Sequence, residues 1–389
     1  MLENPLLPWH EQAQALLLPF GPDIQIVESY GPTELEYAAI RKSAALLDCP
    51  HRAVVELTGR DRLAFLNNLV TNDIKALEPG RGCYAYLLNT RGRIVQDMNV
   101  LNLTDRTLLD VDARLTADLC RTLENYIFGE AVKVRNCSES HGRLSLIGPT
   151  AVDVLQRLGA YDAAGLVNLA IGLVRLADSE AFIFRNDLCG TSQYEIIVPR
   201  TDLESLWQTL QNINGLPSPA PGQPRQPLQV RAIGWSAFNI ARIESGSLFF
   251  GIDITDHNLP METGSWYLRA VSLKKGCYLG QEVVARMHAH NSVARVFTGL
   301  IVQGPVPPVA GEELRDEAAP VGMVTSSCIS PMLGQVAIAL GYVKRGVAQN
   351  GRHFNAYCPA GTTTLTLRPL PFWVPPAEAQ PSPATTSPK

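Results

Sequence analysis

The sequence has no C-x-x-C pair. Its eight cysteines, Cys49, Cys83, Cys120, Cys137, Cys189, Cys277, Cys328 and Cys358, are scattered along the chain. That spacing excludes a zinc ribbon and a ferredoxin-type ligand set. A disulfide framework is unusual in a chain of 389 residues, so most of these cysteines read as small buried hydrophobes in a reducing, cytoplasmic compartment. No stretch approaches about 18 consecutive apolar residues, and no membrane span is expected. The first twenty residues carry Glu3 and Glu11 and no basic run, so neither a signal peptide nor an arginine-rich presequence is expected. Charge is sparse, at 18% of residues with a net −4. Nothing is more densely basic than Lys274-Lys275, and strong direct nucleic-acid binding is not expected. There is no P-loop, G-x-G-x-x-G fingerprint or G-x-S-x-G elbow. His288 and His290 alternate, a spacing that shares a face only on a strand. No third ligand lies near them, and no metal site is assigned.

What the chain does have is apolar residues, 46% of the total, enough for two or three domains on length. Residues 1–32 read as irregular. A 3.6-residue period predicts a helix over 33–47. A strand over 53–57 ends at Thr58-Gly59 and leads into a helix after Asp61. Strands over 82–89 and 93–101 flank the turn Thr90-Arg91-Gly92, and a strand over 107–111, a helix over 115–127 and a strand over 131–134 follow. The stretch Leu144-Ser145-Leu146-Ile147-Gly148 with its following helix echoes Val55-Glu56-Leu57-Thr58-Gly59 and its helix. Strand–helix–strand–strand order occurring twice suggests two ferredoxin-like α+β units, over 33–140 and 141–290. Residues 215–227 read as a linker, 230–243 as a helix and 244–266 as irregular. Short strands over 297–302, 322–326, 336–342 and 363–367, punctuated by Gly and Pro, predict an antiparallel β-barrel over 291–370. The Pro/Ala/Ser/Thr-rich end, 371–389, reads as disordered.

The densest chemistry lies in 274–286, Lys274-Lys275-Gly276-Cys277-Tyr278-Leu279-Gly280-Gln281-Glu282-Val283-Val284-Ala285-Arg286. Two glycines let the backbone approach something closely. A helix from Gln281 to His288 would put Glu282 and Arg286 on one face. Cys277 sits ahead of that helix beside two lysines, and both features favour a thiolate. A second stretch runs from Tyr84 to Asp97. Strand alternation puts Tyr84, Tyr86 and Leu88 on one face. An aromatic next to a carboxylate suits a pterin ring, which stacks and presents N–H donors.

The pattern K-G-C-Y-x-G-Q-E-x-x-x-R resembles the signature of the YgfZ family, folate-binding proteins related to the T-protein (aminomethyltransferase) of the glycine cleavage system. The resemblance runs from about residue 50 to about residue 370. It implies two α+β units and a C-terminal β-barrel around a central folate site. Tyr84 and Asp97, thirteen residues apart, match the tyrosine and aspartate that the T-protein hairpin places near the folate. T-proteins usually carry two adjacent acids there, whereas this chain has Gln96 before Asp97. Arg242-Ile243-Glu244-Ser245-Gly246 resembles the R-x-E-x-G segment that supplies a pterin-binding glutamate. Arg295 is a candidate for the anionic tail of the folate, and Glu262 is a loop acid of the same kind. Gly322-Met323-Val324-Thr325-Ser326 and Ala339-Leu340-Gly341-Tyr342-Val343 resemble the barrel signature.

The resemblance implies an accessory protein that binds tetrahydrofolate or a derivative and supports iron–sulfur cluster assembly or repair. It would serve tRNA-modifying and other cluster enzymes, with cluster proteins or assembly factors as partners. Its functional centre would be Cys277 with Lys275, Gln281, Glu282 and Arg286. The alternative is a true aminomethyltransferase moving a one-carbon unit to tetrahydrofolate, a reaction that needs no thiol.

Overall fold

In the computed structural model, residues 4–216 and 227–375 are described. Contacts divide the chain into two units: Met1–Pro50 with Glu139–Ala241 and Val374–Lys389, and His51–Ser138 with Arg242–Trp373. Most of the predicted linker (217–226) and of the predicted disordered tail (376–389) lies outside the described residues.

The first unit is built on a six-stranded sheet in the order Ile171–Leu176, Ser179–Arg185, Gln193–Pro199, His141–Ile147, Ala44–Asp48, Val230–Ile233. All neighbours pair antiparallel except the last two, which are parallel. Strand alternation sends Leu144, Leu146, Tyr194, Ile196 and Val198 to one face, where they meet Leu155, Leu206 and Trp207 of the covering helices. Two expectations fail here. The helix over 33–47 stops at Lys42, and Ala44–Asp48 is a strand whose five residues are all buried. A strand packed on both faces shows no alternation, and its Ala and Leu read as helix formers. Likewise 230–243 splits into the strand Val230–Ile233 and the helix Trp235–Glu244. The break falls at Gly234, where a Cβ would stand 2.2 Å from the Glu28 carbonyl oxygen. Of the stretch expected to be irregular, residues 4–32 are more ordered than that, with the helix Leu7–Gln12 and a hairpin of Leu16–Pro19 and Gln25–Ser29.

The second unit holds a five-stranded antiparallel sheet, in the order Arg81–Leu88, Ile94–Asn102, Arg106–Asp112, Arg52–Thr58, Lys133–Asn136. Val55, Leu57, Ala85, Leu87, Met98, Val100, Leu109 and Val111 cover one face against Phe65, Leu66, Leu119 and Leu123 from two helices. The echo between the two stretches is a shared device. Gly59 (φ +106°) and Gly148 (φ +129°) each turn a strand into a helix, and at each a Cβ would strike a backbone carbonyl oxygen, at 1.9 and 2.2 Å.

The barrel belongs to the same unit and is closed, in the order Arg295–Val302, Val336–Lys344, Ala319–Ser330, Glu313–Asp316, His353–Cys358, Gly361–Arg368. Closure leaves no free edge. Two of its strands, Glu313–Asp316 and His353–Cys358, lie beyond the four read from the sequence. The start of the predicted tail is docked instead of disordered: Phe372 is buried, and the Phe372 and Trp373 amides donate to the Glu244 carbonyl oxygen.

Candidate functional site

The second unit's sheet is unusual on the face turned away from its apolar core. Register and alternation place Arg52, Glu56, Tyr84, Tyr86, Asp97, Asn99, Asp110 and Asp112 there. All but Arg52 are buried. Three of the four acids have an arginine in contact. Asp110 meets Arg52 at 2.8 Å, Asp112 meets Arg114 at 2.7 Å, and Glu56 meets Arg106 at 2.8 Å. Asn99 also donates to Asp110.

Asp97 is the exception. Its Oδ2 accepts a hydrogen bond from the Tyr84 hydroxyl at 2.9 Å, while its Oδ1 is buried without a partner among the described residues. Burial pushes its carboxyl above the usual range. The through-space pull of Arg52 and the Tyr84 bond oppose that rise, and Asp112 adds to it. The Tyr84 hydroxyl is raised well above its ordinary value, first by burial and then by Asp97. Tyr84 also touches Tyr86 and Trp266 edge-on, with centroids 5.3 and 5.4 Å apart. The Tyr86 hydroxyl reaches Thr263 at 3.3 Å. The result is a buried acid with one unpartnered oxygen among the described residues, bonded to a tyrosine that lies against two further aromatic rings.

Gln96, in register with Leu87, stands on the opposite, apolar face, with its amide nitrogen buried and unpartnered among the described residues. Adjacent strand residues point to opposite faces, so the side chain at position 96 does not share the face of Asp97.

The other predicted residues are distributed as follows. Glu244 is fully buried at the end of its helix, and its Oε1 accepts from the Ser330 hydroxyl and the Met332 amide of the barrel. Both of these contacts are with the barrel. Arg295 does not stand free for an anionic tail. It binds Glu262 through Nε at 3.1 Å and Nη2 at 3.2 Å, and lies over the Tyr342 ring at 5.0 Å. The Tyr342 hydroxyl is buried and unpartnered among the described residues. Thr263, Trp266 and Tyr342 were not singled out from sequence as site residues. Thr263 and Trp266 fall in a stretch that reads as irregular, and Tyr342 reads as a barrel strand residue.

The 274–286 stretch is ordered as expected from Gly280 on. Gly280 takes φ +78° as the N-cap of the helix Gln281–His290. A Cβ there would meet the Asn89 carbonyl oxygen at 2.6 Å, and one on Gly92 would meet Val283 at 2.8 Å. The hairpin tip between Tyr84 and Asp97 thus packs directly on this helix. Gln281 is half-buried, Glu282 and Arg286 are exposed, and the latter two share a face without forming an ion pair among the described residues.

All eight cysteines are described, and only Cys277 is exposed. Burial pushes the Cys83 thiol up to about 12 and the Cys120 thiol up to about 11. Lys275 does not sit as expected. Its ammonium is turned to the carbonyl oxygens of Asn67, Val70 and Asn72, at 2.5, 2.6 and 2.8 Å, and is not free to serve as the thiol's counter-ion.

Comparison with known proteins gives this geometry a context. The GCVT N-terminal domain matches residues 6–275, and the glycine cleavage T-protein C-terminal barrel domain matches residues 295–373. The chain belongs to the GcvT family. It is similar to an aminomethyltransferase of Desulforamulus reducens, at 28% identity over 90% of this chain and 92% of that protein. A mitochondrial aminomethyltransferase of Pisum sativum is 30% identical over 80% of this chain and 74% of that protein. Among solved structures, the glycine cleavage system aminomethyltransferase T of Bartonella henselae superposes with a TM-score of 0.84 at 25% identity, covering 96% of this chain and 98% of that one. The fold is that of the T-protein, a mixed α/β chain ending in a closed six-stranded antiparallel barrel. Residues 276–294, which include Cys277, fall between the two matched stretches. No helix among the described residues is long and apolar enough to cross a membrane.

Proposed function

We propose that this protein binds tetrahydrofolate or a derivative against Tyr84, Tyr86 and Trp266, and handles a one-carbon unit there in the manner of an aminomethyltransferase. The observation that carries this reading is Asp97, buried, without a contacting cation, and with one oxygen unpartnered among the described residues. An unshared buried acceptor is costly unless a ligand donor meets it. A reduced pterin offers N–H donors and a flat face for the neighbouring rings. A carboxyl raised by burial is also suited to accept or hold a proton at Oδ1. Similarity over nine-tenths of the chain to proteins named aminomethyltransferase supports the same class of reaction.

A second reading rests on a different observation. Cys277 is the exposed thiol in a K-G-C-Y-x-G-Q-E setting, a pattern that aminomethyl transfer does not call for. It favours a YgfZ-type accessory factor that binds the same folate and supports iron–sulfur cluster proteins or assembly factors in the cytoplasm, including those that modify tRNA.

One experiment separates the two. Tetrahydrofolate is titrated against tryptophan fluorescence and melting temperature, and the protein is then assayed with an aminomethylated lipoyl carrier protein. Binding with turnover is the expected result. Binding without turnover moves the assignment to the accessory role. No response to millimolar tetrahydrofolate, where mass action predicts a shift, defeats both.

A further inference from the structure

We propose that Lys275 is a positioning residue that registers the Cys277 loop against the strand carrying Tyr84 and Tyr86. The part it grips is residues 67–72, the last residue of the helix Arg62–Asn67 and the five that follow it. On one side this segment is bound to the strand: the Thr71 amide donates to the Tyr86 carbonyl oxygen, the Tyr86 amide donates to the Thr71 hydroxyl at 2.9 Å, and the Asn72 amide group donates to the Tyr84 carbonyl oxygen at 2.8 Å. On the other side it is bound to the loop. The Thr71 hydroxyl donates to the Ala270 carbonyl oxygen at 2.7 Å, the Ser272 amide to Thr71, and the Leu279 amide to Asn68. The Lys275 ammonium lies at the centre of this second side, with three carbonyl oxygens around it.

Three acceptors match the three donors of one ammonium. The Asn67 carbonyl, on the last residue of its helix, has no partner within the helix and favours a cation. The ammonium stands 5.0 Å from the centre of the Tyr278 ring, so the residue after Cys277 covers the cation that holds the loop. The charged and titratable groups around it are Asp73, Lys75 and Cys83 on the gripped side and Tyr278 on the loop side. Gly276, where a Cβ would meet nothing within 4 Å, separates the anchored lysine from the exposed cysteine. The arrangement serves to hold Cys277 outward at a fixed place relative to Tyr84. It deepens the reading of Cys277 as a functional thiol, and only its consequence for function rests on that reading.

The test is amide hydrogen exchange on the full chain for wild type, Lys275→Met and Lys275→Arg, read in peptides covering 67–73 and 271–281, with the barrel as internal reference. Met keeps the stem and removes every donor, whereas Arg keeps a cation with donors for the same carbonyls. Lys275→Met is expected to speed exchange in both peptides about tenfold or more, with the barrel unchanged. Lys275→Arg is expected to restore protection to within about threefold of wild type. Equal protection in wild type and Lys275→Met overturns the proposal. So does equal loss in both variants, which shows that side-chain fit and not the cation holds the loop. If Lys275→Met does not fold, Lys275→Arg alone still decides, since loss of protection there has the same meaning. Tetrahydrofolate binding is measured on the same samples. Its absence from wild type counts against the proposed function and leaves the exchange result standing.

Discussion

Each of the two sheets has one apolar face under helices and one face on which polar side chains are buried, and those two polar faces differ. In the first unit, Arg143, Ser145, Gln193 and Glu195 form a charge-paired set, although Glu195 Oε2 has no hydrogen-bond donor among the described residues. Arg143 meets Glu195 at 3.0 Å and lies over Phe184, while the Gln193 amide nitrogen donates to both Ser145 and Glu195. In the second unit, three acids are closed off by arginines, and the fourth, Asp97, has only a tyrosine. A buried polar face is thus no sign of a site by itself. The distinguishing feature is an acid whose counter-charge is missing from contact range.

That contrast can be broken at either end. The largest effect is expected where the acid has its counter-charge in contact. Arg143→Met leaves Glu195 buried without its cation and should destabilise the protein by about 3–5 kcal/mol, whereas Arg143→Met with Glu195→Leu should recover most of that loss. Denaturant unfolding of the three proteins measures both. A single variant costing less than the double would show that this face is not held by its ion pair.

Asp97→Asn should act in the opposite direction. The folded state raises the Asp97 carboxyl, so the folded protein binds that proton more tightly than the unfolded chain. The contribution to stability is therefore full below the unfolded value and is lost as pH rises through the folded one. Removing the charge should stabilise the protein at pH 7 by about 1–2 kcal/mol, and the advantage over wild type should shrink as pH falls toward 4. Melting temperatures across pH 4–8 test this. The same variant should lose any turnover by about a hundredfold or more, since an amide cannot take a proton. A variant destabilised at pH 7 and no better at pH 4 would mean that Asp97 is structural, like its neighbours.

How much of this was legible in the sequence depends on how local the cause was. Tyr84 and Asp97 are joined in the sequence only by the resemblance, through their thirteen-residue spacing, whereas alternation by itself places no more than Tyr84, Tyr86 and Leu88 on one face. Ala44–Asp48 reads as helix because a strand covered on both faces loses the period-two signal. The place of the Lys275 ammonium is not legible for a different reason. Its sequence neighbour is Cys277, but its ammonium is held by carbonyls some two hundred residues away, and no pattern in the chain marks a backbone acceptor. Arg295 reads as a candidate for an anionic tail and Glu262 as a separate loop acid, and the structure joins them to each other. Trp266 escaped notice because it enters from a short helix, Ser265–Ala270, inside a stretch punctuated by glycine and proline.

The smallest expected effect is the most specific to Asp97. Tyr84→Phe keeps the ring against Tyr86 and Trp266 and removes only the hydroxyl that donates to Asp97 Oδ2. A hydroxyl bonds an ionised carboxylate more strongly than a neutral acid. Its loss should therefore raise the Asp97 carboxyl further and cost about 1 kcal/mol at pH 7, and less at pH 4 where the acid holds its own proton. In Asp97→Asn the acceptor is uncharged, so the same Tyr84→Phe change should cost less there at pH 7. The difference between the two costs is the coupling between Tyr84 and Asp97. Thermal or denaturant unfolding of wild type, both single variants and the double at the two pH values gives that coupling directly. A coupling that is the same at pH 4 and pH 7 would mean that Asp97 holds one protonation state throughout. The open oxygen would then be a fixed acceptor or a fixed acid, unable to exchange a proton with a bound ligand.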